Sequence, residues 1–228
     1  TALRRGPDGV IHFVNAKLTS PGLTLTGNGY RRLDGTFHFE GSGRQVQYGP
    51  ITRFLLDGNI ARPHIEMTLA RPNEAMGLSN VRLTLDPNAS GFAWNAAGGS
   101  ILGAFTGKGG ILLPSGQAAA IAIDNITASG ITAKGALRSL PGGFAGQLAL
   151  TGGGVAGTLD FAPAGNIQRI EAHVKARDAS LSGPPAIAAR RAAFDGVILL
   201  DPAGMSVDGT LTGQGLSYNG INLARLAA

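Results

Sequence analysis

Apolar and polar residues alternate along most of this chain, and glycine, proline or asparagine cuts the alternation about every 8–12 residues. Residues 78–116 show the rule. Val81, Leu83 and Leu85 alternate with Arg82, Thr84 and Asp86. Pro87, Asn88 and Gly91 break that run, and Phe92 and Trp94 then alternate with Ala93 and Asn95. Gly98-Gly99-Ser100 breaks it again before 101–105 and 111–113, which Gly107, Gly109 and Gly110 separate. A two-residue period sends successive side chains to opposite faces of a strand, so each such segment has one dry and one wet face. Helical periodicity is absent from this stretch. The pattern predicts a meander of antiparallel strands.

The same grammar recurs at 10–19, 23–26, 33–40, 45–48, 51–56 and 64–70, and again at 119–126, 131–137, 144–151, 155–161 and 167–176. Asp57-Gly58 reads as a tight turn. Residues 71–77 read as a loop with room for one helical turn. The alanine-rich 186–193 has helix propensity, and Pro184-Pro185 suits a helix start. Phe194-Asp195-Gly196 nevertheless runs straight into 197–200, which favours a strand. Segments 205–211, 216–218 and 221–226 close the chain. The expectation is an all-β fold of roughly 15–18 strands.

Glycine supplies 36 of the 228 residues, and charged residues only 14%. A hydrophobic share of 43% separates the chain from disordered sequences. With no cysteine, disulfides and thiolate metal sites are excluded. No run of about 18 apolar residues is present to make a transmembrane helix. The net charge is +5, and 15 of the 19 basic residues are arginine. These are scattered along the sequence, so diffuse surface charge is expected rather than a nucleic-acid face.

Catalytic chemistry finds little to work with. His12, His38, His64 and His173 show no metal-ligand spacing and read as surface residues. Asp34, Asp57, Asp86 and Asp201 read as turn formers. Gly27-Asn28-Gly29 and Gly107-Lys108-Gly109-Gly110 read as turn or bulge glycines, because neither fits a phosphate-loop motif. No nucleophile elbow is present. The expectation is a protein that is not an enzyme, with no cofactor, metal or catalytic residue.

Residues 69–78 (LARPNEAMGL), followed by 81–87, 91–94 and 98–102, resemble the TamB branch of the AsmA-like bridge proteins of Gram-negative envelopes. Residues 136–144 (ALRSLPGGF) and 157–163 (GTLDFAP) extend the resemblance. It implies a long, strongly curved antiparallel sheet forming a U-shaped, taco-like trough with an apolar interior. It also implies a periplasmic location, phospholipid as cargo between inner and outer membranes, and a link to outer-membrane protein assembly. The implied partner is an outer-membrane barrel of the Omp85 type. The chain would then be a single continuous internal segment, residues 1–228, of a longer protein anchored in the inner membrane.

An open sheet of this size would extend roughly 70–85 Å at about 4.8 Å per strand. An apolar face that long requires a cover, either acyl chains or a second protein layer. The candidate groove liners are Phe37, Phe39, Ile65, Met67, Leu69, Val81, Leu83, Leu85, Phe92 and Trp94. Ile121, Ile123, Leu148, Leu150, Leu159, Phe161, Ile170, Val174, Val207 and Leu211 continue the set. The alternatives are a β-sandwich or β-solenoid, serving as a structural or adhesive module with a closed core and no lipid.

Overall fold

The structure is a computed structural model that describes residues 2–46, 49–74, 76–181, 186–201, 204–218 and 221–227. Among the described residues there is no helix, and seventeen strands account for nearly all of them. In chain order they are β1 (Ala2–Arg5), β2 (Ile11–Ser20), β3 (Leu23–Arg31), β4 (Phe37–Gln45), β5 (Gly49–Asn59) and β6 (Arg62–Leu69). Next come β7 (Ser79–Asn88), β8 (Gly91–Ser100), β9 (Gly103–Leu112), β10 (Ala120–Ala128), β11 (Ile131–Leu140) and β12 (Gly143–Gly152). Last are β13 (Val155–Ala164), β14 (Ile167–Leu181), β15 (Ile187–Asp201), β16 (Gly204–Tyr218) and β17 (Ile221–Ala227).

The chain divides into two compact units, Thr1–Gly98 and Gly99–Ala228, with the division inside β8. In the first unit β1 to β7 pair consecutively, each antiparallel to the next. In the second, β9 to β17 do the same. Each unit is therefore one long antiparallel meander. The registered strands of a unit contain no parallel pairing, as a β-solenoid would need, and no second sheet, as a sandwich would need.

Of the two roles expected for the glycines at 27–29 and 107–110, the turn is corrected, whereas Gly27 and Gly29, like Gly107 and Gly109, do lie opposite bulges in β2 and β10. Gly27 and Gly29 lie inside β3, Gly107, Gly109 and Gly110 inside β9, and Gly98 and Gly99 inside β8. They do not end strands. At Gly27 a Cβ would collide with the carbonyl oxygen of Glu40 on β4, and at Gly157 with that of His173 on β14. The neighbouring backbone occupies the space that any larger residue needs, as at bends and close approaches within sheets.

Three bulges keep the faces consistent. In β5 one extra residue separates Ile51 from Phe54, so both face inward although they are three apart. The same happens between Phe13 and Ala16 in β2 and between Ile123 and Ile126 in β10. A bulge adds one residue, bends the strand and increases its twist.

Two turn readings are corrected by the register. Asp57-Gly58 is strand, not turn: it lies in β5 opposite His64 and Pro63, and the chain reverses at Ile60-Ala61. Asp86 likewise lies inside β7. Asp34 does form a turn, accepting hydrogen bonds from the Thr36 backbone N–H and hydroxyl at 2.9 and 2.7 Å. The loop after β6 is turn structure closed by a bridge between Asn73 and Leu78. The alanine-rich segment is strand: β15 runs unbroken from Ile187 to Asp201. Pro184-Pro185, and Gln47 and Tyr48 at the end of the expected strand 45–48, lie outside the described residues.

Candidate functional site

Register decides which side chains share a face, because directly opposed residues on neighbouring strands point the same way. In the second unit three cross-strand rows run from β9 to β16. The first is Ile111–Ile121–Leu137–Gly146–Phe161–Ile170–Ile198–Val207. The second is Gly109–Ile123–Gly135–Leu148–Leu159–Ala172–Gly196–Gly209. The third is Gly107–Ile126–Ala133–Leu150–Gly157–Val174–Phe194–Leu211. No row contains a polar side chain. Seven strand spacings of about 4.8 Å give each row a length of about 34 Å.

All ten candidate liners of this unit fall in these rows, and all on one face. Ile123, Leu148 and Ile170 are buried, Val207 is 54% exposed, and Ile121, Leu150, Leu159, Phe161, Val174 and Leu211 are half-buried. Glycine and alanine stand beside the bulky residues in each row. The surface thus alternates hollows and ridges along the sheet.

The first unit repeats the arrangement. Its rows include Gly29–Phe39–Leu56–Ile65–Leu85, Gly27–Gly41–Phe54–Met67–Leu83 and Leu25–Gly43–Ile51–Leu69–Val81. Phe37 lies on the same face, opposite Arg31 and Gly58. Here the side chains close on one another. Leu25, Phe39, Ile51 and Phe54 are buried together, with Phe37, Leu56, Met67 and Leu69 packed against them. The rings of Phe39 and Phe54 meet at 5.3 Å with a 44° tilt. Trp94 in β8 is buried at 8% exposure and Phe92 is half-buried.

The candidate set missed the centre of that cluster. Ile51 and Phe54 are three apart, so a strict two-residue period puts them on opposite faces, and only the bulge in β5 reunites them. The polar pair Thr52-Arg53 between two apolar residues was the available signal. Leu25, within the expected strand 23–26 but not among the candidate liners, belongs to the same cluster.

The opposite face is polar and internally paired over much of its extent. His38 and Asp57 meet across β4 and β5 at 3.0 Å, and Arg32 donates to the same carboxylate at 3.1 Å. His64 lies between Asp86 at 2.7 Å and Glu66 at 3.2 Å. His173 meets Asp195 at 2.8 Å, and Arg169 meets Glu171 at 3.2 Å. The hydrogen bond to Asp195 holds His173 above its ordinary pKa. The His38–Asp57, His64–Asp86 and His173–Asp195 pairs tie neighbouring strands together, whereas Arg169 pairs with Glu171 along β14. Among the described residues no three His, Cys, Asp or Glu side chains converge as a metal site would require.

The whole chain exposes 13376 Å² of accessible surface. Two separate compact globules of these unit sizes would expose about 11,600 Å² by the size scaling of folded proteins. No family model, curated protein or solved structure matches the chain.

Proposed function

We propose that the chain is a passive binding trough for phospholipid acyl chains, a segment of a conduit between the inner and outer membranes. The observation that carries this reading is the set of three unbroken apolar rows across β9 to β16, buried at Ile123, Leu137, Leu148, Ile170 and Ala172 and partly exposed elsewhere, in a unit whose described strands form a single meander. Acyl chains would lie over the alternating hollows and ridges and gain about 0.8 kcal/mol for each CH₂ removed from water. Headgroups would stay in solvent. Many apolar side chains share such a contact, so no single residue selects one lipid. A periplasmic setting and an outer-membrane barrel partner belong to the same proposal through the resemblance to TamB-type proteins.

The buried cluster around Phe54 favours a second reading for the first unit, a structural module whose apolar face is sealed by its own side chains. One experiment separates the two. The purified chain is examined by native mass spectrometry and lipid extraction, then titrated with a fluorescent phospholipid. Co-purified phospholipid and saturable uptake support the trough. No extracted lipid together with no uptake leaves the structural module standing.

A further inference from the structure

The scattered arginines do not stay scattered once the strands are in register. On the polar face of the second unit Arg177 of β14 stands directly opposite Arg191 of β15. Arg191 stands opposite Gln214 of β16, and Gln214 opposite Arg225 of β17. One cross-strand row therefore carries three guanidinium groups over about 14 Å. Lys175 lies two residues from Arg177 in the next row, which is otherwise floored by Ala156, Ala193, Thr212 and Ala227. Small floor residues beside long cationic ones leave two shallow, adjoining concavities of about 380 and 280 Å³ that share Arg191.

Like charges set directly opposite each other destabilise a sheet. Elsewhere on the polar faces Arg32, His38, His64, Arg169 and His173 each reach a carboxylate, and among the described residues no other Lys or Arg stands directly opposite another. Among the described residues none of Lys175, Arg177, Arg191 or Arg225 forms an ion pair, and Asp178, next to Arg177, takes no part in one. The row lacks an internal counter-ion. Guanidinium forks match phosphate oxygens in bidentate geometry.

The end of the same sheet points to the source of the phosphate. Four residues beyond the row, Tyr218 and Ile221 face each other across β16 and β17 and are 52% and 65% exposed. An exposed aromatic and an exposed aliphatic residue beside an arginine row suit a lipid surface, with apolar tips at the acyl boundary and cations at the phosphates. We propose that this end of the second unit docks on an anionic phospholipid surface, with Arg177, Arg191 and Arg225 binding headgroup phosphates. The proposal stands apart from the acyl-chain trough, which uses the other face.

Vesicle flotation of the full chain tests it. Phosphatidylcholine vesicles containing phosphatidylglycerol should bind the chain, and pure phosphatidylcholine vesicles should not. Binding should collapse between 0.1 and 1 M salt, where the screening length falls from about 10 to about 3 Å. Each arginine of the row changed to glutamine should weaken binding about fivefold, and Arg177→Gln/Arg191→Gln/Arg225→Gln about a hundredfold. The charge-matched control Arg44→Gln/Arg82→Gln/Arg138→Gln should leave binding within a few-fold of the parent. Relief of like-charge repulsion means the row variants should melt no lower than the parent, which separates lost binding from lost folding. Equal losses in row and control variants would overturn the site in favour of diffuse charge. Row-dependent binding of inorganic phosphate or of an oligonucleotide, with none to vesicles, would overturn the lipid surface as its source. Lipid co-purifying with the row variants at the parent's level would leave the trough untouched.

Discussion

Gly27 on β3 and Gly41 on β4 face each other with no room for a side chain between them. A Cβ on Gly27 would strike the Glu40 carbonyl oxygen, and a Cβ on Gly41 would lie 2.6 Å from the Gly27 Cα. Neither glycine has a positive φ, so space alone excludes larger residues here. Both obstacles are backbone and yield only if strands shift. Gly27→Ala and Gly41→Ala should each destabilise the chain by about 1–3 kcal/mol, the usual range for overpacking. Gly204, at the start of β16, has nothing within 4 Å of its missing Cβ and no positive φ. Gly204→Ala should be neutral or slightly stabilising. Urea denaturation of the three variants checks the contrast, and equal effects at all three positions would refute the close-approach argument.

The same glycines mark the limit of what the sequence discloses. Alternation at Val81, Leu83 and Leu85, or at Ile121 and Ile123, reports the dry face directly, because a period of two is a local property. A glycine in a strand looks like a turn in one dimension. Only the partner strand shows that Gly27 is present because Gly41 lies opposite. Asp57-Gly58 resembles a turn for the same reason, since Asp57 answers to His38 on β4 and to Arg32, which only the register brings beside it. The row formed by Arg177, Arg191 and Arg225 was equally hidden. Its members are separated by 14 and 34 positions and meet only through register.

Burial sorts the groove liners into two experimental classes. Leu148 is 6% exposed between Gly135 and Leu159, so Leu148→Arg places a charge where no counter-ion exists and should unfold the chain. Leu148→Ala should cost about 2–5 kcal/mol. Val207 sits on the same face at 54% exposure, where a substitution costs within about 0.5 kcal/mol. Val207→Arg should therefore keep the parent's melting temperature and lower the uptake of fluorescent phospholipid. Unchanged uptake in a folded Val207→Arg chain would remove the β16 end of the rows from the lipid path.

Trp94 is the only tryptophan, and the protein itself covers it, leaving 8% of its surface exposed. In lipid-free chain its emission should already be blue-shifted, and aqueous acrylamide should quench it severalfold less than in urea. Adding lipid should barely move the spectrum, because the ring has little water left to lose. A lipid-free emission at the wavelength of free tryptophan would show that the first unit opens in solution.

His64 gives the fold a pH dependence of definite sign. Partial burial of the ring disfavours its charge, but the hydrogen bonds to Glu66 and Asp86 outweigh that and hold its pKa above the ordinary 6.5. A folded pKa above the unfolded one adds stability that is complete below about 6.5 and fades as pH rises through the folded value. Asp57 works in the opposite direction. Its burial favours the neutral acid, yet hydrogen bonds from His38 and Arg32 prevail and hold it below the ordinary 3.8. Its contribution is complete above that value and is lost as pH falls through the depressed one. Stability should therefore decline towards both extremes, on the alkaline side through His64 and His173. His64→Gln should reduce the alkaline decline to the share carried by His173 while leaving the acid one in place. Nuclear magnetic resonance titration of the His64 ring protons checks the cause, and a midpoint at or below 6.5 would refute it.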